Sequence, residues 1–244
     1  MRENIGGRNP VYEVLRASRR DPFRLLIAEG AQEKGRLAEI LHMARQSKLL
    51  LEYAPKQRLH ALSEDHQGVV LETSGYPYSS LDEMLWLAGQ RGEPPFLLFL
   101  DTLQDPQNLG ALLRTAEAVG VHGVLLPLRR TATVTPAVVG ASSGASEHLL
   151  ISQINLAQAI RAVKEAGVWV IGLEGGAEAE QIDRARLDGP LALVVGSEGE
   201  GMRSLVRDSC DLLVRLPMRG KIESLNAAVA GSIVLYMAWG ARRG

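Results

Sequence analysis

The chain has a single cysteine, Cys210, among 244 residues. No disulfide can close within it and no zinc centre can be assembled from thiolates, so a reducing compartment fits. Aromatic residues are scarce, at 5% of the chain, and a core must be built from Leu, Val, Ala and Ile; a hydrophobic content of 46% allows this. A strong charge of either sign is also missing: 27 Lys and Arg stand against 28 Asp and Glu, a formal net charge of −1. Bulk charge therefore announces no polyanionic partner, and any basic surface has to be local. Arginine greatly outnumbers lysine. That bias suits bidentate contact with phosphate and equally suits a GC-rich coding sequence. Long apolar runs are absent. Segments such as Phe96–Leu100 and Leu191–Val195 are far too short to span a bilayer, and the N-terminus carries no apolar signal-peptide core. A cytoplasmic protein without membrane contact is expected.

Several motifs that would declare a chemistry are missing too. There is no G-x-G-x-x-G after a strand, no phosphate-binding G-x-x-x-x-G-K-[ST] and no G-x-S-x-G nucleophile elbow. The five histidines, His42, His60, His66, His122 and His148, are scattered without metal-ligand spacing, so no metal is expected.

What is present is an ordered alternation of helical and strand signals. Residues 1–72 read as a small α/β domain. Its helices are Pro10–Ala17, with Asn9 as a candidate cap, and Arg36–Gln46; its strands are Phe23–Ala28, Leu49–Tyr53 and Gly68–Glu72. Residues 73–95 carry Gly and Pro at both ends and read as a linker around a short helix at Leu81–Leu87. Residues 96–244 read as a second domain. Strands are expected at Phe96–Leu100, Gly123–Leu126, Leu149–Ile151, Val168–Leu173, Leu191–Val195 and Leu212–Leu216. Helices are expected at Leu109–Val119, Pro136–Ser142, Leu156–Ala166, Ser204–Ser209 and Ser224–Trp239. Apolar runs without polar alternation predict parallel strands buried on both faces, and the intervening helices predict a doubly wound α/β sheet.

Ligands of such sheets gather beyond the carboxyl ends of the strands. Three glycine-bearing stretches stand there: Leu173-Glu-Gly-Gly176, Gly196-Ser-Glu-Gly-Glu-Gly-Met202 and Pro217-Met-Arg-Gly-Lys-Ile-Glu-Ser-Leu-Asn226. Glycine lets the backbone approach a ligand closely, and its amides can meet an adenine edge, a ribose or a carboxylate. A fourth stretch, Asp105-Pro-Gln-Asn-Leu-Gly-Ala-Leu-Leu-Arg114, reads as the start of a helix. Asn108 stands at a cap position, Leu109, Leu112, Leu113, Ala116 and Val119 form the buried stripe, and Gly110 leaves space in front of Arg114. Two readings are open at this point: Asn108 and Arg114 meet a ligand, or Asn108 only caps while Arg114 pairs with Glu117 in solvent. Ser224 is similarly a cap or a site residue, and Glu198 is a ligand contact or a solvated loop acid.

Together these stretches resemble the three motifs of the SpoU/TrmH class of SPOUT RNA methyltransferases. Asp101–Ala116 resembles the first motif, Val195–Met202 the second and Leu216–Asn226 the third, in the same order and spacing. Ile5-Gly-Gly-Arg-Asn-Pro-Val-Tyr-Glu-Val-Leu15 and His66-Gln-Gly-Val-Val70 extend the resemblance, more loosely, to the RlmB branch, whose members methylate a guanosine of 23S rRNA. The resemblance implies transfer of a methyl group from S-adenosyl-L-methionine to a ribose 2′-hydroxyl. It also implies a deep trefoil knot in the second domain and a homodimer formed through it. Residue by residue, it implies a catalytic set of Asn108, Arg114, Glu198, Ser224 and Asn226. The cofactor contacts it implies are Leu173, Glu174, Gly175, Gly196, Leu216, Met218 and Leu225. The first domain is expected to recruit RNA, with Arg8 and Asn9 as leading contacts and Arg129 and Arg130 as further phosphate ligands. The sequence departs from the family pattern at Ala227-Ala228, where many relatives carry Val-Ser, and at Leu216, where Ile is common. The competing readings are the same chemistry on tRNA, a catalytically silent RNA-binding protein of the same fold, and a nucleotide-binding α/β enzyme that does not touch RNA.

Overall fold

The computed structural model describes residues 2–176, 178–197, 199–222 and 224–243. The chain begins β1 (Arg2–Gly6), α1 (Arg8–Ala17), β2 (Pro22–Ala28), α2 (Arg36–Gln46), β3 (Leu50–Ala54), α3 (Lys56–Leu62) and β4 (Val69–Ser74). It continues through α4 (Leu81–Arg91), β5 (Phe96–Leu100), α5 (Pro106–Ala118), β6 (Gly123–Leu126), α6 (Pro136–Ala141), β7 (Ile151–Gln153) and α7 (Leu156–Glu165). It ends with β8 (Trp169–Leu173), β9 (Glu180–Gln181), β10 (Leu191–Val195), α8 (Ser204–Arg207), β11 (Leu212–Arg215) and α9 (Ala227–Ala241). Two compact units result, one of residues 1–77 with 134–148, the other of residues 78–133 with 149–244.

The first unit holds a mixed four-stranded sheet in the order β1-β4-β2-β3, with β4 antiparallel to both neighbours and β3 parallel to β2. Leu26, Ala28 and Val70 bury one face of this sheet under Leu59 of α3. The segment Val134–His148 is inserted between β6 and β7 in sequence, yet it completes this unit. Its Glu147 is fully buried and takes both ends of the Arg20 fork, Nε at 2.8 Å and Nη2 at 2.9 Å, while Arg20 Nη1 reaches Glu3 at 2.6 Å. Buried charge is tolerated only when paired and hydrogen-bonded in this way. Tyr76 beside it donates to the Ser146 carbonyl at 3.2 Å, and burial pushes its hydroxyl up to about 12. Gly144, at φ +87°, lets the segment press onto α1: a Cβ there would lie 2.6 Å from the Glu13 Cβ.

The second unit holds seven strands in the order β7-β6-β5-β10-β8-β11-β9, every pair parallel. β5 and β10 are buried at all positions, as strands covered on both faces must be. β5, β6 and β10 have the bounds expected from their apolar runs, whereas β7 begins at Ile151 rather than Leu149. α4 runs beyond the expected Leu87 to Arg91, started by a reciprocal capping box between Ser80 and Glu83.

Three helix starts differ from expectation. A side-chain cap stands just outside the helix with its oxygen over the first free amides, as at α5 and α9, whereas the start of α1 has no side-chain cap bond. For α5 that residue is Asp105, which accepts from the Gln107 and Asn108 amides at 3.2 Å each, with Pro106 in the first turn. Asn108 is therefore inside the helix and does not cap. For α1 the N-cap is Gly7, so Asn9 lies in the first turn. For α9 the N-cap is Asn226, so the helix begins after Ser224. α9 lies along α5, where Thr115 and Ser232 hydroxyls meet at 2.9 Å and a Cβ on Gly231 would come within 2.8 Å of Leu112.

Candidate active site

The site is built on one row of backbone. Parallel register sets Leu100 of β5 beside Val195 of β10, Val195 beside Leu173 of β8, and Leu173 beside Val214 of β11. The next residues, Asp101, Gly196 and Glu174, start the loops beyond the carboxyl edge, while Arg215 is the last residue of β11. The pairing continues one step past the strands: the Asp101 amide donates to the Val195 carbonyl at 2.8 Å, and the Glu174 amide to the Val214 carbonyl at 2.9 Å. β10 lies between β5 and β8, both earlier in the chain, so the strand order changes direction here. Such a point is where open α/β sheets bind ligands.

Gly196 is buried, and a Cβ on it would fall 2.3 Å from the Gly201 carbonyl carbon and 2.4 Å from the Met202 nitrogen. Only glycine fits. The loop beyond it is pinched by reciprocal bonds between Ser197 and Gly201, N–H to carbonyl at 3.0 and 3.1 Å, with Gly199 and Gly201 at positive φ. Leu173, Leu216 and Leu225 are half-buried, Gly175 is exposed and Met218 is 39% exposed, so apolar walls remain open at this edge. Glu174 faces Arg207 of α8, whose Nε donates to its two oxygens at 2.9 and 3.2 Å.

The amino ends of α5 and α9 close the other side. Asn226 accepts from the Ala228 and Val229 amides with its oxygen, at 2.9 and 3.1 Å. Its amide nitrogen donates to the Asn108 oxygen at 3.0 Å. The structure thus brings Asn108 and Asn226 together across 118 residues of sequence. Arg114 is exposed on α5, six positions beyond Asn108, and Ser224 is exposed two residues before the α9 cap. Glu198 lies outside the described residues.

The expected RNA contacts fall in both units. Arg8 is half-buried in the first unit, its amide bonded to the Gln67 side chain at 3.1 Å and its Nε to the Gln67 carbonyl at 3.2 Å. It lines an open cleft with Lys34, Lys56, His66, Glu64 and Asp65, while Asn9 is exposed. Arg129 and Arg130 are exposed on the loop after β6 in the second unit, Arg130 at φ +60°.

Two side chains at the site were not singled out from sequence: Asp101, fully buried, and its partner Arg203. The available signal was an acid closing an entirely apolar strand. Cys210 is no nucleophile, because burial pushes its thiol up to about 12. Among the described residues no group of His, Cys, Asp or Glu could hold a metal ion, and no helix is long and apolar enough to cross a membrane.

A glycine that admits no Cβ, beside an apolar rim at the carboxyl edge of the sheet, fits an adenosyl ligand. The comparisons agree with this geometry. The sequence pattern of the SpoU rRNA methylase family matches residues 95–236, and that of the RNA 2′-O ribose methyltransferase substrate-binding region matches residues 5–79. YacO of Bacillus subtilis, assigned to the TrmH tRNA/rRNA methyltransferase family, is 42% identical over 234 residues, covering 94% of this chain and 92% of YacO. The fold resembles that of the SpoU methyltransferase AviRb from Streptomyces viridochromogenes, solved with AdoMet, at a TM-score of 0.82, 23% identity, 99% of this chain and 91% of the other. It also resembles the AdoMet-bound rRNA methyltransferase of Sinorhizobium meliloti, at a TM-score of 0.78, 23% identity, 97% and 86% coverage. The chain belongs to the SpoU rRNA methylase family of RNA ribose methyltransferases.

Proposed function

We propose that this chain methylates the ribose 2′-hydroxyl of a guanosine in 23S rRNA, with S-adenosyl-L-methionine as donor and S-adenosyl-L-homocysteine as product. The observation that carries the reading is the Asn226–Asn108 hydrogen bond, which joins the starts of α5 and α9 beside the glycine loop. The donor supplies a methyl group already activated on a sulfonium. The protein has to align that methyl with the ribose oxygen, an effect worth about 7 kcal/mol or more when the geometry is good. Gly196 and the backbone around Leu173, Glu174, Gly175, Leu216, Met218 and Leu225 hold the adenosyl part. Asn108, Ser224 and Asn226 orient ribose and donor, and Glu198 orients Arg114.

Arg114 stabilises charge rather than taking the proton. A guanidinium stays protonated at any pH near neutral, so it acts by holding the neighbouring phosphate and the developing alkoxide, while the hydroxyl proton leaves to water. The first unit recruits RNA through Arg8, the cleft that Arg8 lines, and Asn9, and Arg129 and Arg130 grip phosphate near the reaction. Binding should therefore weaken steeply with salt. The reading also carries a trefoil knot in the second unit, a cytoplasmic location and a homodimer. In support of the dimer, α9 exposes Val229, Ile233, Tyr236 and Met237 along one stripe at 36–51% exposure, an apolar surface that a second copy would cover.

The test is incubation with methyl-tritiated donor and either ribosomal or transfer RNA. Label in 23S rRNA is expected. Label in tRNA alone would replace the substrate, a rival that the tRNA/rRNA naming of YacO keeps specific. Label in neither would overturn the enzymatic reading.

A further inference from the structure

The glycine loop, residues 196–202, is fastened at both ends to a single residue, Asp101. At the entry, the Asp101 amide donates to the carbonyl of Val195 at 2.8 Å. At the exit, the Asp101 carboxylate accepts from Arg203, the first residue after the loop: from its amide at 2.8 Å, its Nε at 2.8 Å and its Nη2 at 2.6 Å. The carboxylate is fully buried, whereas the Arg203 side chain is 45% exposed. A buried carboxylate needs such donors, and a forked guanidinium with a backbone amide supplies them in fixed directions. Asp101 also begins the turn into α5. The next residue, Thr102, is held at φ +59° with its hydroxyl on the Asp101 carbonyl at 2.8 Å. One carboxylate therefore sets the loop's exit relative to the helix that carries Asn108 and Arg114.

We infer that Asp101, acting through Arg203, is the positioning residue that shapes the glycine loop for the adenosyl ligand, and so sets cofactor affinity and alignment. This rests on the methyltransferase reading above. Asp101 touches no substrate: its two oxygens are taken by Arg203. Its effect passes through the loop, where Gly196 leaves no slack for a changed path.

Calorimetric titration with S-adenosyl-L-homocysteine tests this directly, alongside RNA binding without cofactor. In Asp101→Asn, Kd for S-adenosyl-L-homocysteine should rise about tenfold or more and kcat should fall. RNA affinity should stay within about twofold, which a general loss of structure would not allow. Arg203→Gln should act likewise, leaving the buried Asp101 carboxylate with the backbone amide of residue 203 as its retained donor, and Arg203→Lys should recover part of the affinity. The double variant Asp101→Asn/Arg203→Gln should be no weaker than the weaker single variant, since both remove one clasp. Unchanged cofactor affinity in Asp101→Asn and Arg203→Gln, losses that multiply in the double variant, or cofactor and RNA affinity falling together would overturn the inference alone. A wild-type protein that binds no S-adenosyl-L-homocysteine would overturn the methyltransferase reading and this inference with it.

Discussion

The two units spend their polar residues differently. In the first, charge is structural: Arg20 is locked between Glu147 and Glu3, Arg2 and Arg24 lie against Glu72 and Glu52 across the sheet, and Arg58 of α3 pairs with Glu52. In the second, the central strands β5 and β10 are purely apolar, and polar side chains collect at the carboxyl edge, where glycines clear space and two asparagines bridge two helix starts. A residue such as Arg20 is therefore a bolt, and one such as Asn108 is a tool. The same residue type changes meaning with its burial and partners.

The largest effect should come from breaking the bolt. Glu147→Ala leaves a buried guanidinium with Glu3 as its remaining carboxylate among the described residues, beside the Ser74 carbonyl, and should cost about 3–5 kcal/mol of stability in chemical denaturation. S-adenosyl-L-homocysteine binding by the other unit should survive; a joint loss would blur the distinction between the units. Arg114→Ala should do the opposite, leaving stability alone while kcat falls about 10²–10³-fold. Its pH–rate profile should keep its shape and drop in height. A profile that loses its limb would make Arg114 the proton acceptor.

Gly196→Ala comes next. Its Cβ would meet loop backbone at 2.3 Å, so the loop must move, and calorimetry should show cofactor affinity down about 10–100-fold. Asn226→Asp separates cap from tool at one residue. Its oxygens can still cap α9, so stability should hold within about 0.5 kcal/mol, but the donor to Asn108 is gone and activity should fall.

The smallest effect is on pH. His122 is buried, accepts the Phe96 amide on Nδ1 at 3.0 Å and has its pKa lowered from 6.5, first by desolvation, with Glu93 opposing. A depressed pKa means that the unfolded state binds the proton more readily. Stability is then present above pH 6.5 and is lost as pH falls below it. The thermal midpoint should decline on mild acidification, and less so in His122→Asn.

How much of this was readable beforehand follows the range of the interactions. Apolar runs are local, so β5, β6 and β10 could be bounded from sequence. β1 could not, because Arg-Glu-Asn-Ile-Gly is polar and becomes a strand only by pairing with β4. α3 was missed as well; seven residues carry too little periodicity, and only Leu59 is buried. Asp105 and Asn108 are both good caps by type, and only the helix start itself distinguishes them. Resemblance put Asn108 and Asn226 in one site, but the bond between them is a matter of folding. The Asp101–Arg203 clasp spans 102 positions, and the pairing of Arg20 with Glu147 spans 127, so local sequence can show the acid that closes β5 but neither pairing.

The central claim is that this edge delivers a methyl group to a ribose oxygen. Alkaline hydrolysis of 23S rRNA labelled by the wild-type protein tests it most directly, because a 2′-O-methyl group blocks cleavage of the adjacent phosphodiester. The account predicts tritium in an alkali-resistant dinucleotide that begins with 2′-O-methylguanosine, and none with Arg114→Ala at matched times. Tritium recovered in ordinary mononucleotides would place the methyl group on a base and contradict it.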